Sequence, residues 1–133
     1  MGTVVLDASV VIGLRDPQDA HHESAVETVQ LARAARDRLV LPASALAEML
    51  VGACRLGQTA VASTEEFVDA VIDAVQPIDR AVARSAASYR ARRSGLRLPD
   101  ALVLAVGEVI DADTVYTADA RWKGCDRRVQ VIP

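Results

Sequence analysis

The sequence predicts an α/β fold with a central parallel sheet, on three observations. Short apolar or β-branched runs recur at residues 3–6, 38–42, 75–78, 114–117 and 129–132. Helical periodicity fills the stretches between them, and no hairpin turn signal joins one run to the next. Strands that alternate with helices lie parallel, because each is reached by a crossover, and crossovers are right-handed almost without exception.

Each element has its own justification. Residues 3–6 form the short apolar run of a buried strand, which stops at Asp7; Val10, Val11 and Leu14 then follow at helical spacing. Residues 15–18 read as a turn, and Asp19 is a suitable N-cap for a helix carrying Val26, Val29 and Ala32 on one face. His21 and His22 fall in its first turn, pointing about 100° apart, and are expected to be surface residues. The second strand closes on Pro42, and a helix over 43–55 runs until Gly57 ends it. A helix over 59–74 follows, with Thr64 as N-cap and Phe67, Val68, Val71 and Ile72 as its stripe. Pro77 marks the strand at 75–78 as an edge.

Asp79 opens a long arginine-rich helix to Arg93, followed by a basic loop over 94–98. Pro99 and Asp100 start the next helix, 101–110, with proline in the first turn and an acid at the positive end of the dipole. That helix is apolar nearly all round and must be central and buried. Residues 111–113 turn the chain into strand 114–117, residues 118–122 leave it, and 129–132 form the last strand.

With 133 residues, 51% hydrophobic and 25% charged, the chain is expected to be one domain over 1–133 with a real core. Its longest apolar stretch, 101–106, is far short of the roughly 18 residues that would span a membrane, and no basic segment precedes an apolar leader. A cytoplasmic location without membrane contact is the expectation. Cys54 and Cys125 lack metal-ligand spacing and read as an ordinary helix residue and an ordinary loop residue. A net charge of −3 argues against non-specific nucleic-acid binding, but neutralising four metal-holding carboxylates would bring it to about +1. Lys123 is the only lysine, so the basic groups are otherwise arginines, the better phosphate ligands.

In a parallel sheet the helices run antiparallel to the strands, so strand ends and helix beginnings share one edge. Asp7 ends the first strand and Asp119 lies two residues beyond strand 114–117. Glu48, in the second turn of helix 43–55, is the only acid between Asp37 and Glu65, and Ser44, Ala45 and Gly52 leave room around it. Asp100 begins its helix. Topology nominates Asp79 equally well, and any one of these aspartates alone could be a cap. Several carboxylates brought together repel one another unless a cation lies between them. Oxygen donors without His or Cys select Mg²⁺ or Mn²⁺. Such a site suits hydrolysis of a phosphodiester by an activated water.

Other acid-based α/β machines fit worse. Asp7-Ala8-Ser9 lacks the second aspartate of haloacid dehalogenase-type phosphatases, and Lys123 lies in a loop, not where a phosphorelay receiver needs its lysine. Neither a phosphate-binding glycine loop nor a dinucleotide fingerprint is present. Nothing places His21 or His22 near the edge for a Ser-His-Asp triad.

Four segments in order, Val5-Leu6-Asp7-Ala8-Ser9, Ser44-Ala45-Leu46-Ala47-Glu48, Leu98-Pro99-Asp100-Ala101-Leu102 and Thr117-Ala118-Asp119-Ala120-Arg121-Trp122, resemble the PIN-domain ribonucleases, specifically VapC-type toxins. The resemblance covers essentially the whole chain. It implies a PIN-like three-layer α/β/α sandwich and Mg²⁺- or Mn²⁺-dependent endoribonuclease activity on a structured RNA of the tRNA or rRNA class. Asp7, Glu48, Asp100 and Asp119 are then the metal-binding acids, with Ser9 and Thr117 as supporting hydroxyls; Asp79 matches no motif. It further implies a VapB-type antitoxin that blocks the acidic pocket, and a toxin homodimer within a heterotetramer or larger complex. Arg90, Arg92, Arg93 and Arg97, with Arg121, Lys123 and the basic residues to Arg128, are the candidate RNA contacts. The competing readings are a non-toxin PIN nuclease that processes RNA, and a PIN-fold protein-binding module with little turnover.

Overall fold

All five apolar runs form strands in the computed structural model, which describes residues 1–133: β1 (Thr3–Leu6), β2 (Arg38–Pro42), β3 (Ala74–Gln76), β4 (Thr114–Thr117) and β5 (Val129–Val131). They build one sheet in the order β3-β2-β1-β4-β5, every pairing parallel. Six helices flank it: α1 (Ala8–Arg15), α2 (His22–Ala34), α3 (Ala43–Leu56), α4 (Gln58–Val71), α5 (Arg80–Arg92) and α6 (Leu98–Val109). The fold is the α/β/α sandwich expected. The chain steps outward from β1 to β3, then crosses back to β4, so the direction of travel reverses between β1 and β4. That reversal opens the crevice where ligands gather in sheets of this kind.

The central strands carry the core. Val4, Val5 and Leu6 of β1 and Leu39, Val40 and Leu41 of β2 are all buried, as continuous apolar runs between two helical layers must be. Helix α6 is as central as its composition requires, with Ala101 and every residue from Val103 to Gly107 buried. Gly107 lets it approach the sheet, since a Cβ there would stand 2.5 Å from Val115 Cγ2. Gly57 ends α3 with φ 115°, a conformation that favours glycine. As expected of a proline-bearing segment, β3 is an edge strand, although it ends at Gln76, before Pro77. No helix is long and apolar enough to cross a membrane.

Several local expectations are corrected. Thr64 is not a cap: it lies inside α4, buried, and its Oγ1 donates to the Ala60 carbonyl while accepting from Arg15 Nη1. Helix α4 stops at Val71, because Ile72 is already extended, and α6 begins at Leu98, a turn earlier than Ala101. Asp19 does not cap α2. Its carboxylate folds back on the His21 amide at 2.8 Å, making a turn before the helix starts at His22. The two histidines are half-buried rather than surface groups: His21 Nδ1 bonds the Pro133 carbonyl and His22 Nδ1 the Gly13 carbonyl, at 2.9 and 2.8 Å. Both cysteines are free, Cys54 exposed on α3 and Cys125 half-buried in a loop.

Candidate active site

Asp7 takes its place because β1 ends there. Its backbone N–H donates to the Tyr116 carbonyl, continuing the β1–β4 ladder by one residue, and its carbonyl receives the first amide bonds of α1. The carboxylate is thereby held over the crevice with only 8% of the residue exposed. Its Oδ2 accepts from Ser9 Oγ at 2.7 Å and from Thr117 Oγ1 at 3.0 Å. Those hydroxyls in turn accept the backbone N–H groups of Ala118 and Asp119 at 3.0 and 3.1 Å. Two amides, two hydroxyls and one carboxylate oxygen thus lock the exit of β4 onto the exit of β1. Burial pushes the Asp7 carboxyl above its ordinary range; the two hydroxyl bonds and the Ala8 amide oppose this, and the charge of Asp100 adds to it.

Glu48 reaches the same edge from the second turn of α3. Its carboxyl is also pushed up, first by desolvation and then by the charges of Asp7 and Asp100, with Arg97 pulling the other way. Asp7, Glu48 and Asp100 therefore share one electrostatic neighbourhood, although they are 41 or more residues apart in sequence. Asp100, in the first turn of α6, accepts from Arg97 Nε at 3.3 Å. Asp119 joins through the Thr117 hydroxyl but turns to Arg121, whose Nη2 lies 2.7 Å from Oδ2 and whose Nε lies 3.0 Å from Oδ1. That guanidinium is the main reason the Asp119 carboxyl sits below the usual carboxylate range.

No three of these groups close around a point tightly enough to grip an ion as they stand. The donor set nevertheless suits a hard divalent cation: it is oxygen throughout, and two of its acids hold protons more tightly than usual. Arg97 pairs with Asp100 and Arg121 with Asp119, which brings compensating positive charge to the site. Ser44 Oγ, one turn before Glu48, is buried without a hydrogen-bond partner. In the sequence Ser44 stands out only for its small size.

The basic residues divide. Arg92, Arg93 and Arg121 line a cavity of about 500 Å³ that also exposes Asp100. Arg90 folds onto the Ser94 carbonyl at 3.3 Å, and Lys123 is exposed. Arg128, at the end of the second basic stretch, is a half-buried clamp, bonded to the Ala112 carbonyl and to Asp111 and Asp126. Asp126 also accepts from Tyr89 Oη at 2.9 Å, which ties the loop before β5 to α5.

A parallel α/β sandwich that gathers carboxylates at its switch point defines a class of acid-site domain, built from strand ends and helix starts. Residues 4–127 match the PIN domain model, and the chain belongs to the PIN domain family. Solved structures agree in fold. A chain of the Klebsiella pneumoniae toxin–antitoxin complex superposes with a TM-score of 0.75 at 18% identity, covering 96% of both chains. Mycobacterium tuberculosis VapC20, described as a sarcin-ricin loop cleaving toxin, gives 0.74 at 18% identity over 98% of this chain and 99% of that one. A chain of Rickettsia felis VapBC2, bound to a promoter DNA fragment, gives 0.74 at 13% identity over 98% and 99%. No curated protein matches the chain in sequence.

Proposed function

We propose that this chain is a Mg²⁺- or Mn²⁺-dependent endoribonuclease and the toxin of a VapBC-type pair, acting on a structured RNA of the tRNA or rRNA class. The observation that carries the reading is the meeting of Asp7, Glu48 and Asp100 from three separate elements, with the charge of Asp100 felt at Asp7 and the charges of both felt at Glu48. Asp7 and Asp100 would hold the principal ion, and Asp119, once released by Arg121, would complete that site or a second one. When bound, the ion neutralises the carboxylates, polarises the phosphodiester and eases deprotonation of water.

The chain's own groups do the rest. Ser9 and Thr117 fix Asp7 Oδ2, so the carboxylate does not rotate during the reaction. Glu48, with its raised proton affinity, orients the water and receives its proton. The water oxygen attacks phosphorus in line, the bond from phosphorus to O3′ breaks with O3′ taking a proton from solvent, and the products carry a 5′-phosphate and a 3′-hydroxyl. The 2′-hydroxyl takes no part, so preference for RNA rests on binding. Similarity to VapBC and other toxin–antitoxin structures supports a VapB-type antitoxin as partner; a toxin homodimer, a heterotetramer or larger complex with that antitoxin, and a cytoplasmic location belong to the same proposal.

The test is the purified chain, free of antitoxin, against total RNA in Mg²⁺, Mn²⁺ or chelator, with cleaved ends mapped by sequencing and Asp100→Asn alongside. Metal-dependent cuts at few sites, bearing 5′-phosphates and absent in the variant, are expected. Equal cutting by Asp100→Asn would remove the site assignment, and metal binding without any turnover would favour a protein-binding PIN module instead.

A further inference from the structure

The acids of the site differ in how much of each carboxylate is left for an ion. An ionised carboxylate has about four acceptor positions, two on each oxygen. Asp7 accepts its two hydroxyls on Oδ2 alone, and Asp100 accepts one side-chain bond, from Arg97. At Asp119 both oxygens are doubly engaged, and by a single residue. Its Oδ1 accepts the Arg121 amide at 2.9 Å and Nε at 3.0 Å, while Oδ2 accepts Nη2 at 2.7 Å and shares the same Nε at 3.2 Å. An ion reaches Asp119 only by displacing that guanidinium. Little else holds it there, because the Arg121 side chain is 71% exposed and an exposed pair resists separation by a factor of at most about five. A phosphodiester presents two oxygens to the same guanidinium fork and so competes directly with the carboxylate.

We propose that Arg121 is a positioning residue that couples the RNA to the metal: it covers Asp119 until a phosphodiester of the substrate takes its guanidinium, and only then is the last carboxylate open to an ion. This coupling rests on the nuclease reading above and adds the order in which the site is completed. Coupling between two ligands is reciprocal, so an ion at Asp119 releases Arg121 to the RNA by the same factor as RNA releases Asp119 to the ion. With no RNA present, Asp7 and Asp100 remain available to the principal ion while Asp119 stays covered. The full constellation forms on the substrate.

Arginine modification by phenylglyoxal, followed by mass spectrometry, reports whether Arg121 is covered. With the covered state favoured about fivefold, only about one Arg121 in six is free in chelator, and saturating Mn²⁺ should speed its modification up to about sixfold. Arg84, exposed on α5 and outside every ion pair, should be unaffected. In Asp119→Asn, Arg121 should react fast in both conditions; a slow reaction there would show that another group covers it and would overturn the coupling. Free Mn²⁺ is measured in parallel by electron paramagnetic resonance, with and without a short oligoribonucleotide that stays intact over the measurement, after subtraction of the ion that the RNA holds alone. RNA should tighten Mn²⁺ binding more in wild type than in Arg121→Gln, the two coupling factors differing by up to about sixfold. Mn²⁺ that binds wild type without changing Arg121 modification overturns the coupling while the nuclease reading stands, and so do equal coupling factors in the two proteins. Absence of Mn²⁺ binding by wild type removes the nuclease reading and the coupling with it.

Discussion

Replacing Asp7 by asparagine separates what Asp7 does for the fold from what it does for a metal. Burial raises its carboxyl above the ordinary value of 3.8, so the metal-free native state holds this proton more tightly than the unfolded chain does. A group of this kind contributes stability that is fully present below 3.8 and is lost as the pH rises through the folded-state value. At pH 7 ionised Asp7 is therefore a liability, at about 1.4 kcal/mol for each tenfold gain in its proton affinity on folding. Asparagine never ionises, keeps the volume, and offers a carbonyl oxygen to the Ser9 and Thr117 hydroxyls. In chelator the variant should be at least as stable as wild type.

Metal reverses the ranking. An ion that binds only the native state adds about 2.7 kcal/mol at a hundred times its Kd. For a chain of this size that is roughly 8 to 10 °C in Tm. Thermal melts at pH 7, in chelator and in Mg²⁺ or Mn²⁺ at that excess, should show the full shift for wild type and almost none for Asp7→Asn, which starts from an equal or higher Tm. A variant that keeps the metal-dependent shift would show that Asp7 holds no ion. One that melts well below wild type in chelator would show that its ionised carboxylate supports the fold, against the direction argued from its burial.

Three further outcomes follow from single contacts. Arg121→Gln frees Asp119 from its competing cation, so calorimetric titration should find Mn²⁺ bound several-fold more tightly, while the salt dependence of single-stranded RNA binding should become shallower by about 0.7 in logarithmic slope. Thr117→Val removes the donor to Asp7 and the acceptor of the Asp119 amide at a fully buried position; chemical denaturation should report a loss of about 1–3 kcal/mol, and unchanged stability would mean the relay is dispensable. Gly107→Ala drives a methyl to within 2.5 Å of Val115 Cγ2 and should cost about 1–3 kcal/mol in the same assay, without altering metal affinity.

The strands were legible because buried parallel strands are short unbroken apolar runs, and 3–6, 38–42 and 114–117 coincide with β1, β2 and β4. The helix ends were less so. Thr64 has the chemistry of a cap, but tertiary packing against Arg15 fixes its role, and nothing local encodes that contact. The same holds for His21 and His22, whose partners lie 112 and 9 residues away. Arg97 and Arg121 read as candidate RNA contacts because they stand in the basic stretches 90–97 and 121–128. Their pairing with Asp100 and Asp119 depends on the turn geometry between them, which composition does not specify.

The ambiguity over Asp79 shows what kind of information was missing. Edge topology treats every acid at a strand end or helix start alike, and Asp79 sits at the start of α5 as Asp100 sits at the start of α6. Strand order separates them. The sheet reverses direction between β1 and β4, and β3, which precedes Asp79, is two strands away at the margin. There Asp79 does the local work of a cap, accepting the Val82 amide at 3.0 Å. Asp7 and Asp119, by contrast, leave the two strands that flank the reversal, and Asp100 begins the helix that passes back over the sheet between β3 and β4. Which acids meet is thus set by the order in which the strands are laid side by side. That order comes from long-range packing of buried strands and helices, which no single window of the sequence contains.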